Sequence, residues 1–299
     1  SLHKLKFYLK YKSYCTLLFS EFEIFCLVFF LGFMNFNELI ELTYICDAHI
    51  HLAEVYKNKI EIPSYQKYSC ISCAHSTQEF KIQQDLIKNS PSRIFSSFGI
   101  HPQFPLLENL FYLESLLEEK KLNAVGETGF DFYTEEFSRT KKQQTEAFLF
   151  QIELAQKYNL PVIIHGRKAI EKFFLYSKQL SKIPLAIFHS FSGTYQEAVS
   201  LLNHGINAKF SFSKQILNGN KKAVQCVKQL PLEKIFFETD APFQTLKDEQ
   251  NTLPCEILKV YEQAFCLRTE SFAKDNNEKF LEFCKTVSSN FFNEFQENY

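Results

Sequence analysis

The chemistry in this chain starts at Asp47-Ala48-His49-Ile50-His51, where an apolar run from Tyr44 ends in two imidazoles one residue apart. Side chains two apart in an extended chain share a face, so His49 and His51 can converge on one ion. Imidazole is the commonest side-chain metal ligand at neutral pH. Taken alone, the pair fits equally well two polar residues at a strand end, bonded to backbone or water. The pattern repeats, however. Apolar runs end in Gly99-Ile100-His101-Pro102, in Gly126-Glu127-Thr128-Gly129-Phe130-Asp131, in His165, in His189 and in Glu238-Thr239-Asp240. Five of the eight histidines fall at such places, whereas structural histidines would also be spread among helices and loops. His49, His51, His165 and His189 with Glu127 and Asp240 are too many ligands for one tetrahedral ion with an open position. They suit two divalent ions about 3.5–4 Å apart, bridged by a carboxylate. Mixed imidazole and carboxylate ligation suits zinc, manganese or iron, with magnesium open if histidine contributes little.

The elements that must position these residues are short apolar runs alternating with amphipathic stretches, the signature of repeated β–α units on a parallel sheet. Strands are expected at Tyr44–Cys46, Tyr68–Cys73, Ile94–Phe98, Ala124–Val125, Val162–Ile164, Leu185–Phe188, Ile206–Phe212 and Ile235–Phe237. Strands buried on both faces read as near-continuous apolar runs, as these mostly do. Helices are expected at Gln143–Tyr158, Thr194–Asn203, Glu256–Phe265 and Glu278–Phe295, the second ending in His204-Gly205 with glycine suited to a left-handed cap. Eight such units without repeat or linker fit one α/β domain, a TIM (β/α)8 barrel, which ordinarily takes about 250 residues. Its active site would lie at the C-terminal ends of the strands, where the residues above fall.

Outside this pattern the chain is plain. Lys and Arg total 33 against 34 Asp and Glu, so composition shows no basic face for nucleic acid. The apolar run Ile24–Met34 is shorter than the roughly 20 residues a membrane span needs, and no small-residue cleavage site follows it. The only methionine, Met34, stands directly before the first barrel element, so residues 1–33 are expected to be a non-native or disordered N-terminal extension and 34–299 the working domain. Nine cysteines are scattered in apolar runs and read as small hydrophobes in a reducing, cytoplasmic setting. Cys70-Ile71-Ser72-Cys73 lies inside a strand, not at the helix N-terminus a redox motif would occupy.

DAHIHL (47–52), GIHP (99–102), AVGETGFDFY (124–133), LPVIIHGR (160–167), FHSFSG (188–193) and ETDAP (238–242) together resemble the TatD-like metal-dependent hydrolases, the TatD DNases. The resemblance runs from about Ile45 to Phe295, with these motifs in the family's order and spacing. It implies one ion held by His49, His51, Glu127 and Asp240 and a second by Glu127, His165 and His189, Glu127 bridging. It also implies phosphodiester cleavage in DNA, often from the 3′ end, with magnesium, manganese or zinc. Gln103 stands where the family usually has a second histidine, so a substrate contact there would differ. The segment 243–256 is shorter than usual and carries Lys247 alone where a more basic segment is common.

On this reading the chain is a two-metal deoxyribonuclease with Asp240 as general base. His101 and Arg167 are candidate substrate contacts, the planar fork of Arg167 matching a phosphate. Glu238 would orient a liganding histidine from behind. Asp131 is expected to fix its loop, and His75 and His204 to stand apart from the site. The partner would be DNA, single-stranded or with frayed ends, with no membrane and no obligate protein partner. The alternatives are hydrolysis of another ester or a cyclic amide on the same metals, or a barrel turned accessory protein.

Overall fold

The computed structural model describes residues 44–63 and 67–295, so the expectation for residues 1–33 lies outside the described residues. Eight parallel strands pair in chain order, β1 Ile45–Ile50, β2 Tyr68–Ala74, β3 Arg93–Phe98, β4 Ala124–Asp131, β5 Val162–Arg167, β6 Ala186–Phe188, β7 Ala208–Phe212 and β8 Ile235–Phe237. The helices between them are α1 Leu52–Lys57, α2 Thr77–Asn89, α3 Asn109–Glu118, α4 Glu135–Arg139, α5 Lys141–Tyr158, α6 Ile170–Leu175, α7 Ser177–Leu180, α8 Tyr195–Asn203 and α9 Lys221–Gln229. After β8 come α10 Ile257–Thr269 and α11 Asn277–Phe295. This is a (β/α)8 barrel. Its last seam is made at the histidine-bearing end: Asp240 N donates to His49 O and His51 N to Ala241 O, both at 2.9 Å. Beneath them the buried Asp47 carboxylate takes the Thr239 amide at 2.9 Å and its hydroxyl at 2.6 Å. At the apolar centre, Phe95 of β3 and Phe236 of β8 pack against Phe291 and Phe295 of α11.

All eight expected strands form, but β1, β4 and β5 run further than their apolar stretches. Polar residues ended the hydrophobic signal there while backbone pairing went on: Gly129 pairs with His165 and Asp131 with Arg167. The ladder shifts register twice at this end, between Asp47 and Ile50 and between Val125 and Thr128. Each shift brackets a site residue, His49 or Glu127, and an irregular ladder re-aims the side chain it carries. Glycine is needed for the second. A Cβ on Gly126 (φ +134°) would stand 2.6 Å from Ile163 O, and one on Gly129 (φ +140°) 2.1 Å from His165 O.

Helix α5 braces the same strand. Gln144 and Gln151, seven residues apart and so on one face, are both fully buried. Gln144 Oε1 accepts from Asp131 N at 2.9 Å, and Gln151 bonds Thr128 Oγ1 at 2.6 Å and Ile100 N at 2.8 Å. The segment after β8 is braced by Lys214, a fully buried ammonium that meets Glu249, Glu256 Oε2 at 2.8 Å and Thr252 Oγ1 at 3.5 Å. A lysine can be buried this way only because carboxylates compensate its lost hydration.

Candidate metal centre

The six residues picked out as metal ligands come together at the C-terminal mouth, all of them buried. Glu127 is the hub. Its Oε1 lies 2.7 Å from His165 Nδ1 and 2.8 Å from His189 Nε2. Its Oε2 lies 3.3 Å from His49 Nε2 and 3.7 Å from His51 Nε2. Asp240 Oδ1 faces the same two rings, 3.3 Å from His51 Nε2 and 3.6 Å from His49 Nε2. Asp240 holds this position with a left-handed backbone, φ 56°, a region Asp tolerates better than most residues.

The donor set asks for cations. Ring nitrogens face each other at 3.1 Å (His49 and His51) and at 3.2 Å (His165 and His189), pairs that can bond only by sharing one proton. His75 Nε2, also buried, has no hydrogen-bond partner and points at Glu127 Oε2 from 3.5 Å. Lone pairs converging on two buried carboxylates suit divalent ions, and overlapping sets drawn from these residues bring their ligand atoms within 4.8 Å of one another.

Charge follows burial and neighbours. Burial would raise the Glu127 carboxyl, but the His189, His101 and His49 rings hold it well below the usual carboxylate range. Burial would likewise raise Asp240, and its bond to His51 with the nearby rings brings it down instead. His49 is lowered by burial and by His189, whereas His165 and His189 end up raised by Asp131, Glu127 and Glu238 despite burial. Burial pushes His101 down to about 3, so it is a neutral ring.

Around the hub, His101 Nε2 sits 3.3 Å from Glu127 Oε1, inside the cluster. Arg167 is at the rim, its guanidinium 3.6 Å from Asp131 and 4.1 Å above the Tyr133 ring. Glu238 Oε1 accepts from Ser190 N at 2.6 Å and Oγ at 2.7 Å, and stands 3.4 Å from His189 Nδ1. Asp131 fixes its loop, as expected, through the Tyr133 amide at 2.9 Å. It also meets His165 Nε2 at 2.9 Å and takes Gln103 Nε2 at 2.9 Å, so Gln103 points at Asp131.

Two residues differ from expectation or escaped it. His75, read as standing apart, is in the cluster, its ring 5.4 Å from His51 and 4.9 Å from His101. It is the first residue beyond β2, so the strand-end position that singled out the others marked it too. Cys73 Sγ lies 3.3 Å from His49 Nδ1 and accepts from Ser97 Oγ at 3.1 Å. Nothing in the sequence pointed to that contact. His204 is a helix-end residue as expected, its Nδ1 on Ser200 O at 2.7 Å.

A buried imidazole–carboxylate cluster at the mouth of a (β/α)8 barrel is the build of a metal-dependent hydrolase. Residues 46–296 match the family described as TatD related DNase, and the chain belongs to that family. It is 32% identical over 161 residues to the 3′-5′ ssDNA/RNA exonuclease TatD of Escherichia coli (strain K12), covering 52% of this chain and 61% of that one. It is 32% identical over 187 residues to the uncharacterized metal-dependent hydrolase YabD of Bacillus subtilis (strain 168), covering 60% of this chain and 71% of that one. The crystal structure of YJJV, a TatD homologue from Escherichia coli k12, superposes with a TM-score of 0.70 at 25% identity, over 84% of this chain and 98% of that one. Among the described residues no helix is long and apolar enough to cross a membrane.

Proposed function

We propose that this protein is a two-metal deoxyribonuclease that hydrolyses phosphodiester bonds from the 3′ end of single-stranded or frayed DNA. One observation carries the two-metal reading. The two oxygens of Glu127 face two different groups of rings, Oε1 toward His165 and His189 and Oε2 toward His49 and His51. His49, His51, Glu127 and Asp240 would hold one ion, and Glu127, His165 and His189 the other. Zinc, magnesium and manganese all suit such a mixed set. Bound there, divalent ions lower the pKa of a water toward 7 and neutralise phosphate oxygens.

The protein's own groups do the rest. Asp240, ionised and at the centre of the cluster, takes the proton of the attacking water. His101, neutral, lines the cavity over Glu127 and meets the substrate with its ring edge, its Nδ1 accepting from Gln103 N and its Nε2 facing Glu127. Arg167 meets a phosphate oxygen with a planar fork at the rim. Glu238 keeps Ser190 and the β6 end in place behind His189. Lys247 is exposed and outside the lining of the cavity over Glu127, where Arg167 is the one Arg or Lys, so the cavity itself does not offer the extended basic track a long duplex calls for. Capture of an end fits that surface better. Cys46, Cys70, Cys73, Cys226 and Cys284, free and packed as buried hydrophobes, support a reducing, cytoplasmic setting.

The test compares a 3′-labelled linear single strand with a covalently closed single-stranded circle, each with manganese added. Stepwise shortening of the linear strand with the circle intact is the expected result. Efficient cutting of the circle would reject the end-directed reading.

A further inference from the structure

Beside the cavity over Glu127, of about 770 Å³, lies a second one of about 340 Å³. That volume is at the small end of the roughly 300–1,000 Å³ typical of ligand pockets. The two share Gly166, Arg167, His189 and Ser192 as lining, so a molecule held at Glu127 has a direct way into the side cavity. Their chemistry differs. The metal-side cavity is lined by imidazoles and carboxylates, the side cavity by rings and cations.

Phe173, Phe188 and Phe191, all buried, form the packed apolar floor of the side cavity. Tyr133 stands at its edge, 53% exposed, with Arg167 at 4.1 Å and Lys168 at 4.6 Å from its ring centre. Lys222, exposed near the start of α9, adds a third cation. Glu197 is the one carboxylate in this lining, and it caps α8 by accepting from Thr194 N at 2.6 Å and Oγ1 at 2.9 Å. Aromatic surface with cations on its rim suits a flat heterocycle joined to a phosphate. A ring stacks on any base whatever its identity, and Arg and Lys neutralise the adjoining phosphates.

We infer that the side cavity receives the base of the terminal nucleotide of a single strand, while the phosphodiester to be cut lies over Glu127. This rests on the phosphodiesterase reading above and adds what the site recognises. Tyr133, the exposed ring of the lining, contacts the base, and the three buried phenylalanines form the apolar floor beneath it. Arg167, which lines both cavities, meets the phosphodiester that joins the terminal nucleotide to the strand, and Lys168 and Lys222 meet the next phosphate along it. A paired base could not enter, because its partner strand would come with it, so a frayed or single-stranded end is required.

The chain contains no Trp, so a fluorescent base can be read without indole background. The full chain, with no metal added, is titrated into oligonucleotides carrying 2-aminopurine at either end or in the middle. Quenching confined to a terminal 2-aminopurine is expected. Tyr133→Ala should weaken that association about tenfold, the scale of one stacked base, and Lys222→Glu, which reverses a charge near a phosphate, should weaken it too, both positions being exposed. Equal quenching at the middle position, no quenching at all, or affinities unmoved by both substitutions would overturn the inference. Turnover of bis(4-nitrophenyl) phosphate with added manganese tests the hydrolase reading separately, because that diester has no base. Turnover without terminal quenching removes the side cavity's role alone. Terminal quenching without turnover leaves the cavity standing and removes the phosphodiesterase reading.

Discussion

The two sides of Glu127 are built differently. On the Oε1 side, His165 and His189 come from β5 and the end of β6, and carboxylates stand behind both rings: Asp131 at 2.9 Å from His165 Nε2, and Glu238 at 3.4 Å from His189 Nδ1. On the Oε2 side, His49 and His51 come from the irregular end of β1, and what stands behind His49 is the thiol of Cys73 at 3.3 Å. Burial pushes that thiol well above its ordinary pKa, so it stays neutral. Negative charge on this side comes instead from Asp240, in direct contact with the rings. Asp131, bonded to His165, raises the basicity of that ring and fixes its tautomer, Glu238 acts on His189 through its charge without a hydrogen bond to Nδ1, and a neutral thiol only fixes orientation. One side therefore gathers its charge behind the rings, and the other places it directly against them.

The largest effect should come from the group common to both sides. Glu127→Ala removes the carboxylate whose two oxygens face the two sets of rings, so turnover should vanish and metal content, by elemental analysis, should fall for both ions. A variant that keeps one full equivalent and measurable turnover would show that the sides assemble independently. Next is Asp240→Asn, which keeps the size and one oxygen but cannot take a proton at neutral pH. The ions should largely stay while kcat falls by about 10²–10⁴, the usual range for loss of a general base. KM should move much less. A kcat near wild type with both ions bound would remove Asp240 as the base.

The smallest effects test the asymmetry itself. Asp131→Asn should weaken binding of the ion on the Oε1 side by about 10–100-fold, because it takes the charge from behind His165. Cys73→Ser keeps a neutral hydrogen-bonding group behind His49, so its loss should be less than about tenfold. Competitive chelator titration of each variant gives both affinities. Equal losses would mean that the partner behind the ring does not distinguish the two sides.

Much of this centre was legible before the fold. His49, His51, Glu127, His165, His189 and Asp240 each close an apolar run, and parallel strands in a barrel deliver the residues at their C-terminal ends to one mouth. The eight strands were legible for the same reason, since burial on both faces leaves a continuous apolar run. What could not be read were contacts made across the barrel. Gln144 and Gln151 look like the polar face of an amphipathic helix, yet they turn inward because backbone groups of β4 and the β3 end need partners. Lys214 looks like a surface lysine until Glu249 and Glu256 close over it. Asp47 opens the Asp-x-His-x-His stretch, but its carboxylate is taken up by Thr239, which lies 192 residues away.

The sequence by itself thus determined the barrel and the residues at its mouth, because periodicity and strand-end position are local properties of the chain. Only the tertiary structure decided which atom faces which: that Glu127 divides its oxygens between two groups of rings, that Cys73 stands behind one and Asp131 behind another, and that His75 joins them. Those choices follow from ladder irregularities in β1 and β4 and from close strand approach at Gly126 and Gly129. They depend on distances between strands, which no single stretch of sequence carries.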